Sequence, residues 1–174
     1  MNVWLKLIGG ALLAIAVLGA GFEYAERFRR RTRSLESWIS SLRLLGTEIV
    51  YYQRPLPEAL AQLADLSRGP VAEFWKRLAT DVCERRRPVP QAWTDCLQQH
   101  AQGVFVHRDE WSALAALGQA LGTSDRMDQK HHLELCLSRI ERAEREAHEE
   151  EARSVGLWRS LAAVTAVAIV VLLA

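Results

Sequence analysis

Apolar residues recur at three- and four-residue steps through the middle of the chain, and the breaks in that rhythm divide it into helices. Leu35, Trp38, Ile39, Leu42, Leu45, Ile49 and Tyr52 form one stripe of a long helix from about Glu23 to Gln53. Arg54-Pro55 ends it, because a residue before proline is pushed out of the helical region. A short second helix has Pro57 near its first turn and a stripe of Leu56, Leu60, Leu63 and Leu66, and "SRGP" (67–70) breaks it. The third, Val71 to about Arg86, turns Phe74, Trp75, Leu78 and Val82 inward and stops at "RPVP". Gln91 to Gln99 forms a fourth with Ala92, Trp93 and Cys96 on its inner face, followed by the loop "HAQGVFVH". The fifth, Arg108 to about Leu121, carries Trp111, Leu114, Leu117 and Leu121 and ends at Gly122, a left-handed cap. The sixth starts in "TSDRMDQ", where Thr123, Ser124 or Asp125 can accept from the free amides of the first turn, and faces Leu133, Leu137, Ile140, Ala143 and Ala147 inward. Past Ala147 the stripe fades while helix formers continue, so "HEEEARS" reads as a solvated stalk. With no alternating pattern and no Asn-Gly or Asp-Gly turn, the class is all-α.

The two ends of the chain differ from this middle. Residues 3–22 are apolar with one charge, Lys6, near the start; residues 157–174 are apolar with Arg159 at one end beside Trp158, a membrane-interface anchor. At 1.5 Å per residue the second run covers about 27 Å, enough for a thin bilayer. Both read as transmembrane helices. A secretory signal peptide is the alternative for the first, since "LGAGF" offers a cleavage site. Against it, the positive residues follow the apolar run: Arg27, Arg29, Arg30, Arg31 and Arg33 outweigh Lys6, and by the positive-inside bias hold the following segment in the cytoplasm. The expected organisation is a six-helix bundle between two membrane helices: 1–22 as first span, 23–154 as cytoplasmic bundle with stalks, 155–174 as second span.

Charge and cysteine content narrow the chemistry. Lysine plus arginine total 22 against 21 acidic residues, which gives nucleic acid no overall attraction. Three cysteines, Cys83, Cys96 and Cys136, make no disulfide scaffold and fit a reducing compartment. No phosphate-binding glycine loop and no CxxC occur, so no cofactor is expected. Asp128, His132 and Cys136, spaced by four, share a helix face and could ligate a metal, which leaves a membrane-anchored metal or redox enzyme as the alternative reading; ordinary amphipathic patterning accounts for them as well. Asp125 with Arg126 admits both an acid-and-partner reading and a cap with an ion pair. The arginine cluster 27–33 could also meet anionic lipid head groups, and the acidic run Glu144 to Glu151 is either an interaction face or a solvated helix surface.

Several stretches carry a family resemblance: Glu48-Ile49 with Tyr51, the run Pro55-Leu56-Pro57-Glu58-Ala59-Leu60, and Leu121-Gly122 with Asp125, Arg126 and Gln129. On these the chain resembles the stage III sporulation protein AB family of endospore-forming bacteria, and the likeness extends over the whole length. That family is similar in turn to the inner-membrane platform proteins of type II secretion and type IV pilus machines. The resemblance implies a non-enzymatic membrane scaffold between mother cell and forespore, its central domain in the mother-cell cytoplasm. Its implied partners are other stage III sporulation proteins, a cytoplasmic AAA-type ATPase among them, and the bilayer itself; a homo-oligomer is compatible with it. Glu48, Tyr51, Pro57, Asp125, Arg126 and Gln129 become the candidate interaction or structural motif.

Overall fold

The computed structural model describes the backbone of residues 26, 28–100, 106–123 and 125–173, and the side chains of all of these except 126 and 154–173. Among them are six helices and no strand. Helix α1 runs through residues 28–46 and continues as a π-helical turn, Thr47–Tyr51. Helix α2 is Leu56–Leu66, and α3 is Ala72–Ala79 with a second π-helical turn, Thr80–Glu84. Then come α4, Val89–His100; α5, Arg108–Ala120; and α6, Arg126–Leu173. The chain divides into two compact units, Arg31–Glu146 and Met1–Arg30 with Ala147–Ala174.

Aromatic rings centre the larger unit. Phe74 lies 4.9 Å from Trp38, 5.0 Å from Trp75 and 5.1 Å from Trp93 between ring centroids, all edge-on, the arrangement that ring quadrupoles favour. Each ring belongs to the apolar stripe of its helix, and the fold gathers α1, α3 and α4 around them. Leu35, Leu42, Leu45, Leu60, Leu63, Leu78, Leu114 and Leu117 complete the buried interior. The Trp93 indole N–H donates to the Leu114 carbonyl at 2.9 Å, which ties α4 to α5. Helices α1 and α6 pack antiparallel: Arg43 pairs with Glu141 at 2.8 Å, and Gly46 meets the Leu133 side chain.

Five residues expected inside are not buried, Leu56, half-buried at the start of α2, among them. Tyr52 faces solvent, because the π-helical turn inserts a residue and swings Glu48 into the interior beside Ile49 instead. Leu66 is exposed at the end of α2, where the short helix runs out beside the buried Ser67. Trp111 is half-buried because the inner face of α5 is rotated to include Glu110, and Leu137 yields its inner position to Cys136. Helix α4 starts at Val89 rather than Gln91, since Pro88 and Pro90 stand where missing N–H groups cost nothing. The sequence "RPVP" therefore ends one helix and begins the next.

In the smaller unit, Arg29 and Glu151 approach to 3.6 Å, Arg30 pairs with Glu26 and Arg153 with Glu149. Such solvent-facing pairs contribute at most about 1 kcal/mol each. His148, Glu149 and Glu150 are exposed on a continuous helix, as expected of a solvated stalk. No helix among the described residues is long and apolar enough to cross a membrane. The apolar segment 3–22 and the side chains of 157–174 lie outside those residues, as do Arg27, Ser124 and most of the loop after α4.

Gly118 measures how tightly α5 meets the aromatic core. A Cβ there would stand 2.1 Å from Trp93 Cδ1, and that ring is held by its own hydrogen bond. Gly118→Ala should therefore lower the unfolding free energy by about 1–3 kcal/mol, despite alanine's better helix propensity. Chemical denaturation followed by tryptophan fluorescence reads this directly; unchanged stability would mean that the α4–α5 contact is looser than the geometry requires.

Candidate functional site

Glu48, Tyr51, Pro57, Asp125 and Gln129 of the candidate motif belong to the end of the bundle that carries the α1–α2, α3–α4 and α5–α6 turns. Two of these turns have the same construction. From Thr47 the chain reads Thr-Glu-Ile, four variable residues, then Arg-Pro-Leu-Pro-Glu-Ala; from Thr80 it reads Thr-Asp-Val, four variable residues, then Arg-Pro-Val-Pro-Gln-Ala, a constant offset of 33. The backbones repeat as closely. Each begins with a five-residue π-helical turn, closed by a bond from the Tyr52 N–H to the Thr47 carbonyl (3.0 Å) or from the Arg85 N–H to the Thr80 carbonyl (3.2 Å). Next, Gln53 and Arg86 both adopt φ 52°, a left-handed conformation that costs a side-chain-bearing residue about 1–2 kcal/mol. The following amide donates back across the turn, Arg54 to the Glu48 carbonyl and Arg87 to the Asp81 carbonyl, each at 3.0 Å.

Side chains close both turns into acid–arginine clasps. Glu48 and Asp81 are buried by the π-helical turns that carry them. Arg54 reaches Glu48 at 3.1 Å; Arg87 reaches Asp81 at 3.1 Å, with Arg85 on its other oxygen at 2.8 Å and Asp95 on its own far nitrogen at 2.5 Å. An unpaired carboxylate at such depth would cost several kcal/mol, and the guanidinium offsets part of that cost. The two clasps lie side by side, since the Cys83 thiol donates to the Pro57 carbonyl at 3.3 Å. Gly122, at φ 84°, fits against Val89 and Leu56, the residues between the paired prolines of the two clasps.

This accounts for most of the candidate motif. Glu48 is the acid of the first clasp, Pro57 supplies a carbonyl to the second, and Gly122 is the left-handed cap expected after α5. Asp125 caps α6, its Oδ1 accepting from the Asp128 N–H at 2.9 Å, and its carbonyl accepts from the half-buried Gln129 at 2.9 Å. The Arg126 side chain lies outside the described residues. Tyr51 is the last residue of the first π-helical turn, and its side chain is exposed. Arg54, Asp81, Arg87 and Asp95 were missed by reading the chain as six separate stripes. The signal was a repeat, Thr-acid-aliphatic followed by Arg-Pro-aliphatic-Pro, written twice.

Arg31 leaves the basic cluster to which the sequence assigned it. It is buried and pairs with Glu110 of α5 at 2.8 Å, because the inward face of α1 begins at that position. This pair is at the opposite end of the larger unit, on a cavity of about 400 Å³ also lined by Arg139, Arg142 and Glu146. Arg29 and Arg30 each have a carboxylate partner, and Arg33 is exposed. Asp128, His132 and Cys136 do not converge as a ligand set among the described residues. Cys136 is sunk in the core, and burial pushes its thiol up to about 12.

A family model described as stage III sporulation protein AB matches residues 6–174. The chain belongs to that family and is a sporulation protein. Stage III sporulation protein AB of Bacillus subtilis (strain 168) is 27% identical to it over 169 residues, 97% of this chain and 99% of that one. A solved structure of stage III sporulation protein AB (SpoIIIAB) matches with a TM-score of 0.65 at 25% identity, covering 71% of this chain and 98% of that chain.

Two outcomes follow from the clasps and the thiols. Arg54→Ala should cost about 1–3 kcal/mol of stability by leaving the Glu48 carboxylate buried without that guanidinium. Adding Glu48→Gln should recover part of the loss, and strictly additive effects in a double-mutant cycle would show that the pair does not couple. Burial also pushes the Cys96 thiol up to about 11, whereas Cys83 is exposed. A disulfide reagent at pH 8 should titrate one thiol in the native protein and three in denaturant. Thiols in the unfolded chain ionise near 9.0, so the native state should lose stability as pH rises from there towards 12.

Proposed function

We propose that this sporulation protein is a non-enzymatic membrane platform that helps assemble a secretion-like channel between mother cell and forespore. The observation that carries the reading is how its ionisable groups are used. Every buried acid among the described residues, Glu48, Asp81 and Glu110, is held by an arginine, an arrangement that fixes helix ends and leaves no carboxylate poised for proton transfer. In this reading 1–22 and 155–174 are the two membrane spans and 23–154 is a cytoplasmic domain in the mother cell. Their support is the hydropathy of 3–22 and 157–174 and the arginines that follow the first run. The platform role, and a link from the channel to a cytoplasmic AAA-type ATPase and other stage III sporulation proteins, rest on the likeness of the family to secretion and pilus platforms.

Topology tests the reading. Cys83 is the exposed native thiol of the bundle, and an Asn2→Cys variant supplies a second probe at the other side of the first span. An impermeant maleimide applied to intact sporulating cells should label position 2 and spare Cys83 until the cells are permeabilised. Labelling of Cys83 in intact cells would invert the topology and end the platform proposal.

A further inference from the structure

The two clasps share a backbone but not an outer surface. Where the second carries Cys83, Glu84 and Arg85, the first carries Val50, Tyr51 and Tyr52, yet the π-helical turn, the left-handed residue and the returning hydrogen bond are the same in both. The second clasp thus acts as an internal control: this turn folds with charged residues at those positions. Folding gives no reason for three consecutive apolar side chains in water, and such patches mark contact surfaces. Tyr51 is 79% exposed and Tyr52 58%. Their rings stand perpendicular, centroids 5.3 Å apart, with the Arg54 guanidinium 5.6 Å from the Tyr52 ring centre.

Charge indicates what this surface would meet. Each clasp turns its carboxylate inward and its guanidinium outward: the Glu48 and Asp81 side chains are 6% and 3% exposed, those of Arg54, Arg85 and Arg87 40%, 62% and 35%. Arg86 adds an exposed cation, and Glu58, Glu84, Asp125 and Asp128 are exposed acids at the same end of the bundle. Of these charges it is the Arg54 guanidinium that lies against the tyrosines, so the patch presents two aromatic faces and one guanidinium, residue types enriched in protein–protein hot spots.

We propose that Tyr51 and Tyr52, with Val50 and Arg54, anchor an acidic surface of a partner protein, the rings seated in an apolar pocket and the guanidinium directed at carboxylates on its rim. The inference rests on the platform reading and names the face through which such a platform would hold its partner.

The test uses the full chain in a sporulating host that lacks its own copy. A photoreactive benzoylphenylalanine at position 51 should cross-link to one protein other than the chain itself, through a peptide rich in Asp and Glu; the same probe at position 84 should give no such adduct. Replacing the first surface by the second, Tyr51→Glu with Tyr52→Arg, should leave the thermal midpoint unchanged, weaken partner binding about a hundredfold, roughly tenfold per anchor lost, and lower heat-resistant spore yield. An adduct to lipid, to nucleic acid or to a second copy, no adduct at all, or normal spore yield from the folded double variant would overturn the proposal. Should the double variant not fold, the cross-link alone decides. A missing adduct with Cys83 still shielded would sink this inference and leave the platform reading standing.

Discussion

A carboxylate buried at the end of a helix must find a cation close by, and the turn-bearing end of this bundle is built around meeting that demand twice. The π-helical turns carry Glu48 and Asp81 into the interior, where an ionised acid is costly. Each chain segment then reverses through one left-handed residue and brings back an arginine within 3.1 Å. Proline follows at once in both, fixing the backbone that starts the next helix. The strain of the turn and the desolvation of the acid are offset by the arginine pairing, single in the first clasp and double in the second, and by one backbone hydrogen bond in each.

The clasps set the rest of the larger unit. By fixing where α1 and α3 stop and where α2 and α4 begin, they hold Trp38, Phe74, Trp75 and Trp93 in one edge-on cluster. The α5–α6 turn closes over both through Gly122, whose left-handed backbone, φ 84°, sets it against Val89 and Leu56. At the other end the Arg31–Glu110 pair repeats the chemistry between α1 and α5 without a local turn. Charges that in the sequence resemble topology signals or catalytic candidates serve here as internal fasteners. The surface left over, especially the two tyrosines, is where a scaffold has freedom to specify a partner.

Helical periodicity made the class, the number of helices and most of the core legible from the sequence, because a 3.6-residue repeat is a local property. The misplaced residues share a cause, in that each depends on something a stripe does not contain. Tyr52 was turned out by a π-helical insertion, Trp111 by the partner that Glu110 found on α1, and Leu66 by the shortness of its helix. The clasps were legible in principle, since the repeat is written in the residues, but its meaning lay in acids and arginines four or six positions apart rather than in hydropathy.

The sequence by itself determined an all-helical chain with two apolar ends, the breaks at Arg54-Pro55 and Arg87-Pro88, the left-handed turn at Gly122 and the cap at Asp125, all set by backbone sterics and near-neighbour bonds. Only the tertiary structure decided that Arg31 is a buried partner of Glu110, that Cys136 is part of the core, and that Tyr51 and Tyr52 are exposed beside a twin turn that does without them. Those outcomes depend on which helices meet, and contacts between residues as far apart as 31 and 110 leave no periodic trace in the chain.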